Sequence, residues 1–482
     1  MRRCLFLLLS ATILFSFFSF YSCSQADKSG ISYEITAEYR PEEQTLVGAL
    51  KCSFENREQK EVSALHFHLY PNAYRKGALY PAVVEEKAVA YYAGESYGEM
   101  TVTGVIGVKS WDIEGEDEDI LSIQLIEPLK MGDSVVVDIS FVTKLASVAH
   151  QLGVAQRTIN LGYFYPILSA VIDGEFAPPS YAKVGEPFSL ESSDYTLVLT
   201  LPSGYAVGAS GALIGNKGLE SKTKYVYQDK NLRDFALVIS EDYKYADSKV
   251  GETTISYYYY DDVEAEKNLQ TARLAFEYFE KTFGQYPYSH LTFAQTGYAK
   301  AGEAHTALVW LCDSLGEEEY TKELVLQTAR QWWGIVAGHN RTQEAWLGES
   351  LAAYSALLFF EAYPAYGVSF TQEMDGALKE YREYFSVYGS IFGGVDTRMS
   401  KPLFEYANGY EYRCLTRDKG LVLWNTVKKS VGAKKFFKGL AKSYQTGKYK
   451  ILTVKGVEES FSNVGMEIGG LLLAFVDGKA VL

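Results

Sequence analysis

From Ile31 to about Tyr260, apolar and polar residues alternate, and β-branched and aromatic side chains are punctuated by Gly, Asn, Asp and Pro. Alternation sends successive side chains to opposite faces of a strand, one toward a core and one toward water. The pattern predicts strands over Ile31–Tyr39, Leu46–Phe54, Val62–Leu69, Leu121–Leu125, Val135–Val142 and Tyr195–Leu201, with a loop at Pro178-Pro179. Many short strands between closely spaced turns predict a β-sandwich.

Past that point the period becomes helical. Ala265, Leu269, Ala272, Phe276, Phe279 and Phe283 recur every three or four positions and form one helix face. Asp261 and Asp262 stand at the expected N-cap and Gly284 at the expected stop. Further helices are predicted over Tyr320–Val336, Glu344–Tyr363, Met374–Phe385, Gly420–Val431 and Lys434–Tyr444. The change of period places a domain boundary near 245–262, giving a β-sandwich domain over 24–250 and a mainly helical α+β domain over 251–482. A chain of 482 residues is too long for one ordinary core.

The first residues read as a targeting segment. Met1, Arg2 and Arg3 start positive, Leu5 to Phe20 is apolar, and Ser22-Cys23 leads into the polar SQADKSG. This is the layout of a bacterial export signal over 1–23, and a small residue before a cysteine predicts a diacylglycerol on Cys23. Ordinary cleavage and an uncleaved anchor are the alternatives. The expectation is a lipoprotein of the cell envelope, anchored to the membrane through Cys23 and facing outside the cytoplasm. No later run is long and apolar enough to span a bilayer.

Composition narrows the chemistry. A net charge of -14 without a basic stripe argues against nucleic acid. Hydrophobic residues at 47% supply enough material for packed domains. Cys52, Cys312 and Cys414 are odd in number and widely spaced, forming neither a disulfide framework nor a metal knuckle. None of the 6 histidines, His66, His68, His150, His290, His305 and His339, forms a His-x-x-x-His pair. His66 and His68, two apart on a predicted strand, read as exposed or hydrogen-bonded side chains rather than ligands. No Gly-x-Ser-x-Gly elbow appears and no Cys adjoins a His, which disfavours a serine or cysteine nucleophile.

Several segments, in order, resemble the M1 aminopeptidases, which are gluzincins. LHFHLYPNAY (Leu65 to Tyr74), GYFYPIL (Gly162 to Leu168) and YTLVLTLPSGYAVGASG (Tyr195 to Gly211) resemble their N-terminal β-domain. In the second half, GYAKAGEAHTALVWL (Gly297 to Leu311) is similar to the substrate motif and LQTARQWW (Leu326 to Trp333) to the zinc helix. EAWLGESLAAY (Glu344 to Tyr354) is similar to the third-ligand helix, and RDKGLVLW (Arg417 to Trp424) to the catalytic-tyrosine segment. The resemblance covers nearly the whole mature chain. It implies a thermolysin-like catalytic domain after the β-sandwich, without the family's large C-terminal helical domain.

The same resemblance implies that the catalytic positions are replaced. Family members bind zinc through His-Glu-x-x-His and a distal Glu, the first Glu activating the metal-bound water. Here Leu326 and Arg330 stand at the two histidines; leucine has no donor atom, and arginine stays protonated. Gln327 stands at the general base, and an amide does not take up a proton near neutral pH. The distal ligand remains as Glu349, 19 positions after Arg330. The glutamate that holds a substrate's amino group falls on Ala304, with Glu303 one residue earlier. The oxyanion tyrosine falls on Arg417, and loss of one such donor alone slows catalysis about a hundredfold or more.

These replacements predict a pseudopeptidase with no zinc or other cofactor, a peptidase scaffold that binds a peptide or protein. The competing class is an active metalloaminopeptidase using zinc at a non-standard site, for which His305 and His339 with Glu349 are the candidate ligands. Three further expectations follow. Arg330 and Glu349 form a buried ion pair where the metal would sit. Counting Arg330, Arg417 and Glu349 alone, the pocket is neutral to positive and favours an anionic ligand such as a carboxylate. Trp332 and Trp333 are expected to pack between helix and β-domain.

Overall fold

Alternation becomes burial in a computed structural model of the chain, which describes residues 29–480 apart from 173, 177 and 179. The export signal, Cys23 included, and Pro179 lie outside the described residues. Along Ile31–Arg40 the inward residues are Ile31, Tyr33, Ile35, Ala37 and Tyr39, and along Ser193–Pro202 they are Ser193, Tyr195, Leu197, Leu199 and Leu201. These two strands pair in parallel inside a seven-stranded sheet. Its order is Ala212–Gly218, Lys222–Leu232, Ser193–Pro202, Ile31–Arg40, Thr45–Glu55, Ser134–Lys144, Glu99–Ile106. A four-stranded sheet built on Val62–His68 and Ile120–Leu129 shares its core. Tyr33 stacks on Tyr195 at 4.8 Å and accepts a hydrogen bond from the backbone N–H of Leu168, on the second sheet, at 3.1 Å. This is the predicted sandwich.

A second four-stranded sheet leads toward the helical half, where Asn160 accepts a hydrogen bond from Thr296 at 2.9 Å. The five-stranded sheet of that half begins at Lys244. Lys244–Val250 and Thr253–Tyr259 form an antiparallel hairpin, so the residues on both sides of 250 belong to one sheet. His290–Thr296 runs parallel to Thr253–Tyr259 and to Leu308–Cys312, and the edge strand Gly302–His305 is antiparallel.

Against this sheet lie α1 (Ala265–Phe283) and α2 (Glu317–Trp332), and beyond these pack α3 (Ala345–Ala362), α4 (Phe370–Phe392), α5 (Lys419–Val431) and α6 (Ala433–Gly447). Helix α1 has the predicted bounds, but Glu264 rather than an aspartate is its N-cap; Asp262 instead accepts from the backbone N–H of Glu264 at 2.9 Å and from Asn268 at 2.9 Å. Helix α2 stops at Trp332, short of Val336, because Gly334 at φ 113° turns the chain and Trp333 bridges Ala337. Helix α3 is buried on nearly every side from Ala345 to Phe360, as a central helix must be.

The ring contacts of the two tryptophans lie within the helical domain rather than at the β-domain. Trp332 lies 5.5 Å from Phe276 and 5.3 Å from Tyr286 and donates to the Gly284 carbonyl at 2.9 Å; Trp333 meets Phe283 and Tyr444. The apolar stripe of α1 ends beside them, so they complete the core of the helical domain. Among the described residues no helix is long and apolar enough to cross a membrane.

Candidate functional site

Helix α2 is two-sided. Leu324, Val325, Thr328, Ala329 and Trp332 are buried, while Glu323, Leu326, Gln327 and Arg330 line a cleft of about 310 Å³. Spacings of three, four and seven residues bring the latter set to one helix face. Helix α3 supplies Ala345 and Glu349 across the gap, and the edge strand supplies Gly302 and Glu303. Loops add Glu186, Lys300 and Arg341, and the short strand Gly338–His339 adds His339. A π-helical turn over Cys414–Asp418, entered from Gly409–Arg413, carries Arg417 to the cleft beside Tyr412.

The expected ion pair is present. Arg330 donates from both terminal nitrogens to both oxygens of Glu349, at 3.0 and 2.6 Å. Their side chains keep 25% and 22% of their exposure, so the pair is largely rather than wholly buried. Burial works against the Arg330 charge, but Glu349, Glu303 and Glu323 outweigh it and hold the guanidinium above its ordinary value. Gln327 donates to Glu323 at 2.5 Å, and its own carbonyl oxygen is buried without a partner. Burial raises the Glu323 carboxyl, which Gln327, Arg330 and Arg417 counteract.

These residues do not fit a zinc ion. At the three positions that the resemblance assigns to ligands, Leu326 has no donor atom, Arg330 brings a fixed positive charge, and both oxygens of Glu349 are taken by that charge. Among the described residues no three His, Cys, Asp or Glu side chains gather as a metal site. The substitute set is not assembled either. His305 faces Asp234, with Nδ1 2.5 Å from a carboxylate oxygen and its ring 4.4 Å from Trp310, and it does not line the cleft. His339 does line it, but burial and then Arg341, Arg233 and Arg330 push its pKa well down, leaving it neutral. His68 is buried and stacked on Tyr70 at 4.5 Å, while His66 is half-buried beside Phe176.

Strand alternation separates the two residues that the resemblance assigns to the amine motif. Glu303 turns into the cleft and accepts from the Tyr298 hydroxyl at 3.3 Å, while Ala304 does not line it. The wall therefore has four carboxylates (Glu186, Glu303, Glu323, Glu349) and four cations (Lys300, Arg330, Arg341, Arg417). The wall is therefore neutral on balance, at the lower end of the expected range, although that expectation did not count Glu323 on α2 or the charges brought by loops and the edge strand. Sequence reasoning also missed Tyr412. Its hydroxyl is pushed well above the ordinary value by burial and then by Glu349, with Arg330 opposing. Glu323 was the legible omission, four residues before Gln327 and seven before Arg330.

No protein-family model matches the chain, and no curated protein matches it in sequence. Solved structures do match in fold. An M1 zinc metallopeptidase from Deinococcus radiodurans superposes with a TM-score of 0.63 at 14% identity, covering 95% of this chain and 96% of that one. A mutant of it bound to a Tyr-Ser-Ala substrate gives 0.62 at 16% identity with the same coverage. A two-domain M1 zinc metallopeptidase mutant bound to L-arginine gives 0.62 at 13% identity, again covering 95% and 96%. The chain thus has the two-domain fold of the M1 zinc metallopeptidases, an N-terminal β-sheet domain followed by a helical domain.

Proposed function

We propose that this protein is an exported, membrane-tethered aminopeptidase-like pseudoenzyme that binds a peptide or protein and does not catalyse zinc-dependent hydrolysis. One observation carries the reading: Arg330 is clamped on both oxygens of Glu349, at 3.0 and 2.6 Å. A guanidinium in that place repels a metal dication and occupies the one remaining carboxylate. Gln327 supplies no base, and Arg417 stands where the resemblance puts the oxyanion tyrosine. The binding side of the reading is supported by the cleft itself, which stays open at about 310 Å³. In the same fold, the Deinococcus relative is seen bound to a short peptide.

The test is to purify residues 24–482 without chelator, measure bound zinc by mass spectrometry, and assay the sample on aminoacyl-coumarin substrates. Near-zero zinc and no turnover are expected. One tightly held zinc per chain with turnover abolishes the reading and makes the protein a metalloaminopeptidase.

A further inference from the structure

We propose that the cleft binds a small zwitterion with a free carboxylate, a free aliphatic α-amino acid, and that Arg417 is the carboxylate anchor. This rests on the open, metal-free cleft of the pseudoenzyme proposed above and adds a small-molecule ligand to its peptide or protein partner. The argument starts from what the wall leaves unpaired. Arg330 is taken by Glu349 and Arg341 by Glu186, the latter at 3.4 Å. Arg417 and Lys300 remain, and neither has a hydrogen bond or ion pair among the described residues. Opposite them, Glu303 and Glu323 have no cation within ion-pair distance; each accepts only from a neutral side chain. Two free cations and two free carboxylates around one cavity make a dipolar site.

Burial gives that remainder its force. The Nε–H of Arg417 is buried without an acceptor, and the Gln327 carbonyl oxygen is buried without a donor. Groups withdrawn from water without partners are destabilising, and a ligand that completes them recovers that loss. A guanidinium fork matches a carboxylate in two parallel hydrogen bonds, which a single amide or ester oxygen does not reproduce. An ammonium group near Glu323 would donate to its carboxylate and to the Gln327 oxygen. Arg417, Glu323 and Leu326 also border a narrower slot of about 110 Å³ lined by Ala353, Leu357 and Phe360. The apolar side of that slot is of a size for a branched aliphatic side chain, and Lys322 and Glu373, paired with each other at 3.0 Å, complete its wall. Carboxylate, ammonium and aliphatic group thus meet at one junction.

Calorimetry on zinc-free residues 24–482 tests this with leucine, N-acetyl-leucine and leucine amide. Leucine should bind, and removing either its positive or its negative charge should weaken binding about tenfold or more. Arg417→Gln should weaken leucine by a similar factor while leaving the feeble binding of leucine amide unchanged. Arg417→Lys, which keeps the charge but loses the fork, should fall between; unaltered thermal melting of both variants excludes a folding defect. Equal binding of leucine and its amide, undiminished leucine binding by Arg417→Gln, or no leucine binding at all each overturns the proposal. Zinc-free, inactive protein that ignores leucine sinks this inference alone, whereas stoichiometric zinc with turnover sinks the pseudoenzyme reading.

Discussion

Replacing Glu349 with alanine leaves the Arg330 guanidinium without the acceptors it holds at 3.0 and 2.6 Å. Removing one partner of a fully buried ion pair destabilises a protein by about 3–5 kcal/mol, because the other charge remains in a poorly solvated place. Here Arg330 retains 25% of its side-chain exposure and Glu349 22%, so water relieves part of the loss. The nearby carboxylates Glu303 and Glu323 also favour the Arg330 charge. The expected loss is therefore about 2–3 kcal/mol. For a domain of this size each kcal/mol lowers the melting temperature by about 2–4 °C, which predicts a drop of roughly 5–10 °C by calorimetry or circular dichroism. Glu349→Gln separates charge from shape, and it should lose most of the same amount. The double variant Arg330→Leu/Glu349→Leu removes both charges and should recover most of the stability, since apolar side chains often replace such pairs without loss. A Glu349→Ala melting temperature indistinguishable from the parent's would refute the reasoning, and so would a double variant as unstable as the single one.

Glu186 gives the pH prediction: burial and then the Glu303 carboxylate push it up to about 7, against Lys300 and the Arg341 guanidinium at 3.4 Å. A folded value above the ordinary 4.5 means that the folded chain holds a proton the unfolded chain releases, so this stabilisation is full below about pH 4.5 and lost as pH rises through about 7. Glu186→Gln should flatten the stability profile across that window, and a variant with the parent's slope would show that another group sets it. Cys23→Ser should move the protein from the membrane fraction to the soluble fraction and abolish labelling by radioactive palmitate; a parent protein that is itself unlabelled and soluble contradicts the tether.

Much of the fold was legible because burial and period are the same fact seen twice. Ile31–Arg40 and Ser193–Pro202 alternate in sequence and in exposure, and the apolar stripe of α1 ends where the helix ends. Local rules failed where tertiary contacts decide. The end of α2 is set by the Gly334 turn, and Trp332 and Trp333 go where α1 and Tyr444 offer a surface. The site divided along the same line. Leu326, Gln327, Arg330 and Glu349 lie on two helices, and the resemblance, which put Arg330 and Glu349 at one metal position, brought their pairing into view. Glu186, Lys300 and Arg341 enter from loops, whose course no period describes. Arg417 was found, but its neighbour Tyr412 was not, because the π-helical turn over Cys414–Asp418 breaks the α-helical register between them.

The two-sidedness of α2 lets its cleft positions vary while the fold persists. Its core face, with Leu324, Val325, Ala329 and Trp332, carries the packing energy, and its other face lines the cleft. Substitutions on the cleft face leave most of the core in place, Leu326 alone among them packing on its margin, which is a physical basis for fold and function separating. The cleft face still has to satisfy Glu349, a carboxylate set on the most deeply packed helix of the domain. A metal dication neutralises such a group in a zinc site; here the Arg330 guanidinium does so and fastens α2 to α3 in the same step. That assignment has a consequence for the rest of the wall. With Glu349 engaged by Arg330 and Glu186 by Arg341, no further carboxylate lies within ion-pair distance of Arg417 among the described residues. Arg417 and Lys300 are thus the cations of the cleft wall left without a carboxylate partner among the described residues.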